Sequence, residues 1–198
     1  MLKLVSIDLQ RGFTDYAKGK SVSFLKNVFF PFLKENNIKT AEVVSDYRLE
    51  RLGHKTETTN PDNNSYDSIV PKELLTGTRW IKCMHSPLWI RENGGVKSIK
   101  PGVPYQDTDL FNKWVKETFG DPLKNTPVVY GLAMEICVHL FVQELYHLGY
   151  CPIVIYETTD PMNERIKYKK EIANYTSLKL YSKVISFDEF KEMIMKGE

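Results

Sequence analysis

The sequence predicts a three-layer, Rossmann-like α/β fold, with about six mainly parallel strands and helices on both faces. Three observations carry that expectation. Short apolar runs alternate about six times with segments whose apolar residues recur every three or four positions, the pattern of strand and crossover helix. The first two runs, Leu2 to Ile7 and Thr40 to Ser45, each stop at an acid, Asp8 and Asp46. The stretch Thr126 to Gly149 reads strand, glycine turn, helix, the half-unit of a parallel sheet. At 198 residues and 42% apolar, residues 1–198 can bury one core as a single domain.

Taken in order, Leu2 to Ile7 is the first buried strand, and LQRGF turns the chain with Gly12 as the permissive residue. Val22 to Glu35 presents Phe24, Leu25, Val28, Phe29, Phe32 and Leu33 on one helical face, strained by Pro31. Thr40 to Ser45 is the second strand. Residues 47–65 are polar, with Gly, Pro and Asn, and read as a long irregular loop. VPKELLTGTRW reads as a short helix and turn, KCMHSPLWI as an apolar run of open role, and Val96 to Lys100 as the third strand. Asp107 to Phe119 is an amphipathic helix capped by Thr108, with Leu110, Phe111, Trp114, Val115 and Phe119 inward. Pro127 to Tyr130 is the central strand. The next helix runs from near Ile136 to Leu148 on Cys137, Leu140, Phe141, Leu145 and Leu148, and stops at Gly149. Tyr150 to Tyr156 is a strand leading into the polar turn ETTDP. Asn163 to Tyr175 is a charged helix and Leu178 to Ile185 a short strand. Ser186 caps a last helix with Asp188 and Glu189 in its first turn.

Composition excludes several classes of function. With 27 basic and 25 acidic residues, scattered along the chain, there is no stripe for nucleic acid. No run nears the roughly 18 apolar residues of a membrane span. The start, LKLVSID, enters a strand without the features of a signal peptide. Cys83, Cys137 and Cys151 have no paired or metal-type spacing, which fits a reducing cytoplasm. No G-x-G-x-x-G follows a strand, so no redox cofactor is expected.

Chemistry is expected at the C-terminal ends of the strands, where open α/β sheets bind ligands. Asp8, Lys100 and Cys137 come from three such ends. Cys137 falls in the first turn of its helix, where the dipole and free N–H groups are expected to lower its pKa. A carboxylate can take the thiol proton and an ammonium can stabilise the thiolate. Backbone N–H groups around Ala133 and Cys137 can hold an oxyanion. The alternative reading of Cys137 is a small buried apolar residue, and of Asp8 a cap of the following turn.

Three stretches give these residues a family resemblance. SIDLQRGF, with Asp8, Gln10 and Phe13, resembles the first-strand motif of the isochorismatase-like cysteine hydrolases, which include nicotinamidases and N-carbamoyl amide hydrolases. GVKSIKPG followed by DTDLFNKWV resembles their lysine strand and next helix. GLAMEICVHLFVQELYHLGY resembles their nucleophile motif. The resemblance implies a triad of Asp8, Lys100 and Cys137, with Lys97 and Lys82 as the other lysines open to the role. It also implies a cis Leu132–Ala133 peptide that aims the Ala133 N–H beside that of Cys137. Gln10, Phe13, Arg48 and Met134 are expected to line the substrate pocket.

The departures from the family pattern also bear on function. Thr-Asp before the cysteine is here Met134-Glu135. The Asp-x-His that holds a metal in nicotinamidases is here Asp46-Tyr47-Arg48. No metal is therefore expected, although Asp46 with His54 or His85 stays open as a site. Arg48 can bind a substrate carboxylate or pair with Asp46. The expected function is hydrolysis of a small amide or carbamoyl compound through a Cys137 thioester, in a cytoplasmic homo-oligomer. The other reading is an inactive member of the fold that binds a small molecule or a protein.

Overall fold

The computed structural model describes residues 1–14, 21–48, 67–161 and 176–197. His54, most of the expected loop at 47–65 and the expected helix at 163–175 lie outside them. Strands β1 (Leu2–Ile7), β2 (Thr40–Ser45), β3 (Leu75–Lys82), β6 (Thr126–Leu132), β7 (Ile153–Asp160) and β8 (Lys183–Ile185) form one sheet. Its order is β3-β2-β1-β6-β7-β8, and every pairing is parallel. A small antiparallel pair, β4 (Trp89–Ile90) with β5 (Tyr105–Gln106), stands apart from it.

The pleat sends alternate residues to opposite cores. Val5, Ile7, Val129 and Val154 join one buried cluster with helices α2 (Thr108–Phe119) and α3, whose last part is His139–His147. Leu4, Val128, Tyr130, Ile153 and Ile155 join the other, with α1 (residues 21–35) and α5 (Phe187–Lys196). Two apolar faces, each covered by helices, account for strands that read as continuous apolar runs.

Helix α1 widens to π-type turns over Leu25–Phe29, just before Phe30–Glu35. Pro31 has no N–H to give a carbonyl one turn back, and the wider turn accommodates that loss within a continuous helix. The α2 cap is Asp107 rather than Thr108: the Asp107 carboxylate accepts from Leu110 N at 2.8 Å. Ser186 and Glu189 form the reciprocal capping box at α5.

Three expected boundaries differ. The third strand of the sheet is Leu75–Lys82, not Val96 to Lys100. Strand β3 is an edge strand whose outer residues are polar and exposed, so its sequence lacks the apolar run of the inner strands. Residues 96–100 are exposed and lie in turns. Strand β7 starts later and runs on through the polar ETTD, which is possible because Thr158, Thr159 and Asp160 are buried. The segment expected as one strand at 178–185 divides into α4 (Thr176–Tyr181) and β8.

Gly131 fixes how closely β6 approaches β1. It sits at φ 127°, and a Cβ there would lie 2.1 Å from the Ile7 carbonyl oxygen. Both atoms belong to paired backbone in the sheet centre, so neither can move away. Gly131→Ala is expected to cost about 3 kcal/mol, read as a lower chemical-denaturation midpoint with unchanged slope.

Candidate active site

Neighbouring strands β3, β2, β1 and β6 bring Lys82, Ser45, Asp8 and Cys137 to one edge of the sheet. Lys82 is the last residue of β3, Ser45 the last of β2, and Asp8 the first after β1. Cys137 follows β6 in a π-type turn, Met134–Val138, that opens α3. The Leu132–Ala133 peptide before it is cis, and Asp8 has a positive φ of 51°. For an aspartate that conformation is uncommon, and such residues concentrate at functional sites. It is held by the Asp8 N–H bond to the Val43 carbonyl at 2.9 Å.

Lys82 is the hub of the cluster. Its ammonium lies 2.8 Å from Asp8 Oδ2 and 3.3 Å from Cys137 Sγ. It also donates toward Ser45 Oγ at 2.7 Å, the Met84 carbonyl at 3.1 Å and Tyr47 Oη at 3.3 Å. Three ammonium hydrogens serve these five acceptors, so some of the bonds are shared. Ser45 Oγ in turn donates to Asp8 Oδ1 at 2.9 Å. Asp8 and Lys82 are 3% and 1% exposed: a buried, hydrogen-bonded ion pair beside a buried thiol.

Electrostatics at the site differ from the expected helix-dipole effect. Burial pushes the Cys137 thiol up to about 12, with the Lys82 charge lowering it and the Asp8 charge raising it further. Desolvation is the largest of these effects. The resting cysteine is therefore a thiol beside an ion pair. Burial pulls the Lys82 ammonium down, but Asp8 and then Cys137 overcome this and hold it well above the usual lysine range. Tyr47 is raised by burial and stays a neutral phenol.

Lys100, expected in this cluster, is not brought to it. It is exposed, in the turn-rich segment after β4. Lys97 instead lies 3.8 Å from Asp67 at the surface. The signal for Lys82 was a lysine closing the run RWIK, legible only once TGTRWIK is taken as a strand. Gln10 is fully buried and clasps Ser45, accepting from its N–H at 2.6 Å and donating to its carbonyl at 2.9 Å. It thus positions the residue that orients Asp8 and Lys82. Phe13 packs edge-on against Tyr47 with ring centroids 5.6 Å apart, and Met134 is buried within the helix-side core. Tyr47 and His85 were missed as neighbours of the thiol, at 3.9 and 3.8 Å from Sγ. Tyr47 falls at the variable position of the Asp46-Tyr47-Arg48 stretch and His85 in no motif.

Arg48 takes the second of its two expected roles, pairing with Asp46. Its guanidinium makes a two-pronged bond to Asp46, at 2.9 and 2.7 Å. It also donates to the carbonyls of Val96 at 2.8 Å, Ile99 at 3.1 Å, Asn93 at 3.2 Å and Lys97 at 3.3 Å. The Gly95 N–H donates to Asp46 Oδ2 at 2.8 Å. This buried pair organises the 93–99 segment.

No protein-family model and no curated sequence matches the chain. Solved structures do. An isochorismatase-like hydrolase from Alkaliphilus metalliredigens is similar at 16% identity and a TM-score of 0.62, over 96% of this chain and 97% of that one. N-carbamoylsarcosine amidase from Thermoplasma acidophilum is similar at 13% identity and 0.58, over 93% and 95%. The pyrazinamidase of Pyrococcus horikoshii, in complex with zinc, is similar at 12% identity and 0.60, over 94% and 99%.

The described residues of this chain do not fit such a metal. Both Asp46 oxygens are occupied by Arg48, a cation that would repel a second one. Among the described residues no group of histidine, cysteine and carboxylate side chains is placed to hold an ion. No helix among the described residues is long and apolar enough to cross a membrane. By these superpositions over nearly its whole length, this chain has the fold of the isochorismatase-like hydrolases.

Proposed function

We propose that this protein hydrolyses the C–N bond of a small amide or carbamoyl compound through a thioester on Cys137, with Asp8 and Lys82 completing the triad. The observation that carries the reading is the buried Asp8–Lys82 pair set 3.3 Å from the Cys137 sulfur. A charged pair is costly to bury, and here it is gathered from separate strand ends at the edge where such sheets bind ligands. The amidase structures that share the fold support the same chemistry.

In this mechanism Asp8 takes the Sγ proton as sulfur attacks the substrate carbonyl carbon. A thiol titrating near 12 requires that coupling, because little free thiolate exists at neutral pH. The N–H groups of Ala133 and Cys137, in the turn entering α3, hold the oxyanion. Collapse breaks the C–N bond, and the amine leaves with the proton held by Asp8. Water then gives a proton to Asp8 and attacks the thioester, releasing the acid and restoring the thiol. The Lys82 ammonium balances the negative charge that moves between Asp8 and the sulfur.

Asp8→Asn separates the two halves of this account. Ammonia release from nicotinamide, pyrazinamide or N-carbamoylsarcosine, whichever the wild type turns over, is expected to fall about 100-fold or more. Alkylation of Cys137 by iodoacetamide, followed by peptide mass spectrometry, is expected to move the other way. Loss of the Asp8 charge leaves Lys82 to favour the thiolate, so the reaction shifts to lower pH. A Cys137 that ignores Asp8 in both assays would overturn the triad and leave a binding protein on this fold.

A further inference from the structure

We propose that His85 is a second, solvent-side proton acceptor for Cys137, acting at the outer face of the thiol while Asp8 acts at the inner one. The inference rests on the triad reading above. His85 Nδ1 lies 3.8 Å from Cys137 Sγ and 3.4 Å from Tyr47 Oη. Its ring stands edge-on to that of Tyr47, with centroids 6.1 Å apart. His85 is exposed, whereas Asp8, Lys82 and Tyr47 are buried.

The hydrogen-bond pattern assigns the tautomer. The Lys82 ammonium only donates, so Tyr47 Oη accepts from it at 3.3 Å. The phenol is held neutral by burial, and its own hydrogen must go elsewhere. Of His85 Nδ1 and the sulfur, Nδ1 is the nearer, at 3.4 Å against 3.9 Å. Nδ1 therefore accepts, and in the neutral ring it carries no proton on the side that faces the thiol. Contacts of this length are normal before a ligand closes the site and shorten when it does.

The proton balance gives such a group a task. Asp8 is sealed behind Lys82 and Ser45, and a proton taken there returns to the substrate's leaving group. His85 joins the thiol to solvent. When Sγ attacks an electrophile, the S–H bond breaks, the proton passes to Nδ1 and the imidazolium releases it to water. Among the described residues, the titratable groups facing His85 are Tyr47 and Cys137, with the Asp8–Lys82 pair behind them.

The test needs no substrate. Iodoacetamide forms an S–C bond as iodide leaves, and the rate at Cys137 is followed from pH 5.5 to 10 in wild type, His85→Gln and Asp8→Asn. Wild type is expected to show a rise through about pH 6–7 as His85 loses its proton, a plateau, and a second climb above about pH 9 as free thiolate forms. His85→Gln is expected to lose the first rise, keep the second, and react roughly tenfold more slowly at pH 7.5; the loss is smaller than for a sole general base because Asp8 remains. A rise that survives in His85→Gln overturns the inference. So does a wild-type rate that falls through pH 6–7, the sign expected if the imidazolium merely stabilised thiolate. If Cys137 is indifferent to Asp8→Asn, the triad itself is wrong; if it responds to Asp8 but not to His85, only the second acceptor is wrong.

Discussion

Lys82→Met is expected to abolish amide turnover and to destabilise the protein, whereas Lys100→Ala leaves both unchanged. The methionine keeps the stem of the side chain but leaves the Asp8 carboxylate, 3% exposed, without the cation 2.8 Å away. Removing one partner of a buried ion pair costs about 3–5 kcal/mol, because the other charge stays desolvated. The double variant Asp8→Asn/Lys82→Met removes both charges and is expected to regain a large part of that stability without any activity. Wild type and the three variants, compared by urea unfolding and ammonia release, distinguish a catalytic pair from a structural one. A Lys100→Ala variant that lost activity while Lys82→Met kept it would reverse the assignment. The raised pKa of Lys82 adds a sign that can be checked: its contribution is fully present below the unfolded lysine value, about 10.4, and fades only as pH rises through the higher folded value. Alkaline unfolding of Lys82→Met is therefore expected to begin at lower pH than in wild type.

Arg48→Ala is expected to lower the melting temperature by about 10 °C, the shift that a loss of about 3–4 kcal/mol produces in a domain of this size. The substitution strands a buried Asp46 and takes the donor from the carbonyls of Asn93, Val96, Lys97 and Ile99. The 93–99 segment, which lies largely in turns, then becomes the first place a protease cuts. Arg48→Lys is expected to recover less than half of the loss, since a point charge cannot span both Asp46 oxygens and several carbonyls at once. Limited trypsinolysis with mass mapping reads the local effect and calorimetry the global one. Unchanged thermal stability in Arg48→Ala would remove Arg48 from its structural role and return it to the pocket.

The contrast between Lys82 and Lys100 shows where reading the chain stops. Both follow an apolar stretch, and Lys100 precedes a proline and ends a plausible strand; nothing local separates them. The choice is made by β3 pairing with β2 so that Lys82 stands beside Ser45. An edge strand with polar outer residues hides in the sequence, and an exposed turn containing Val96 and Ile99 imitates a strand. Arg48 shows the same limit, since a guanidinium beside a presumed pocket serves a ligand or a loop depending on contacts made some fifty residues away.

Legible along the chain were the alternation of strand and helix, the inner strands β1, β2 and β6, the capped helix α5, and the placement of Asp8 and Cys137 at strand ends. These follow from periodicities and caps, which act between residues near one another in the chain. Long-range packing selects the lysine that meets Asp8, spends Arg48 on Asp46 and a loop, and turns Tyr47 and His85 toward the thiol. It also reversed the direction of the Cys137 shift. A helix dipole is a local property, but burial comes from everything packed around the sulfur, and here desolvation is the largest cause of the upward shift.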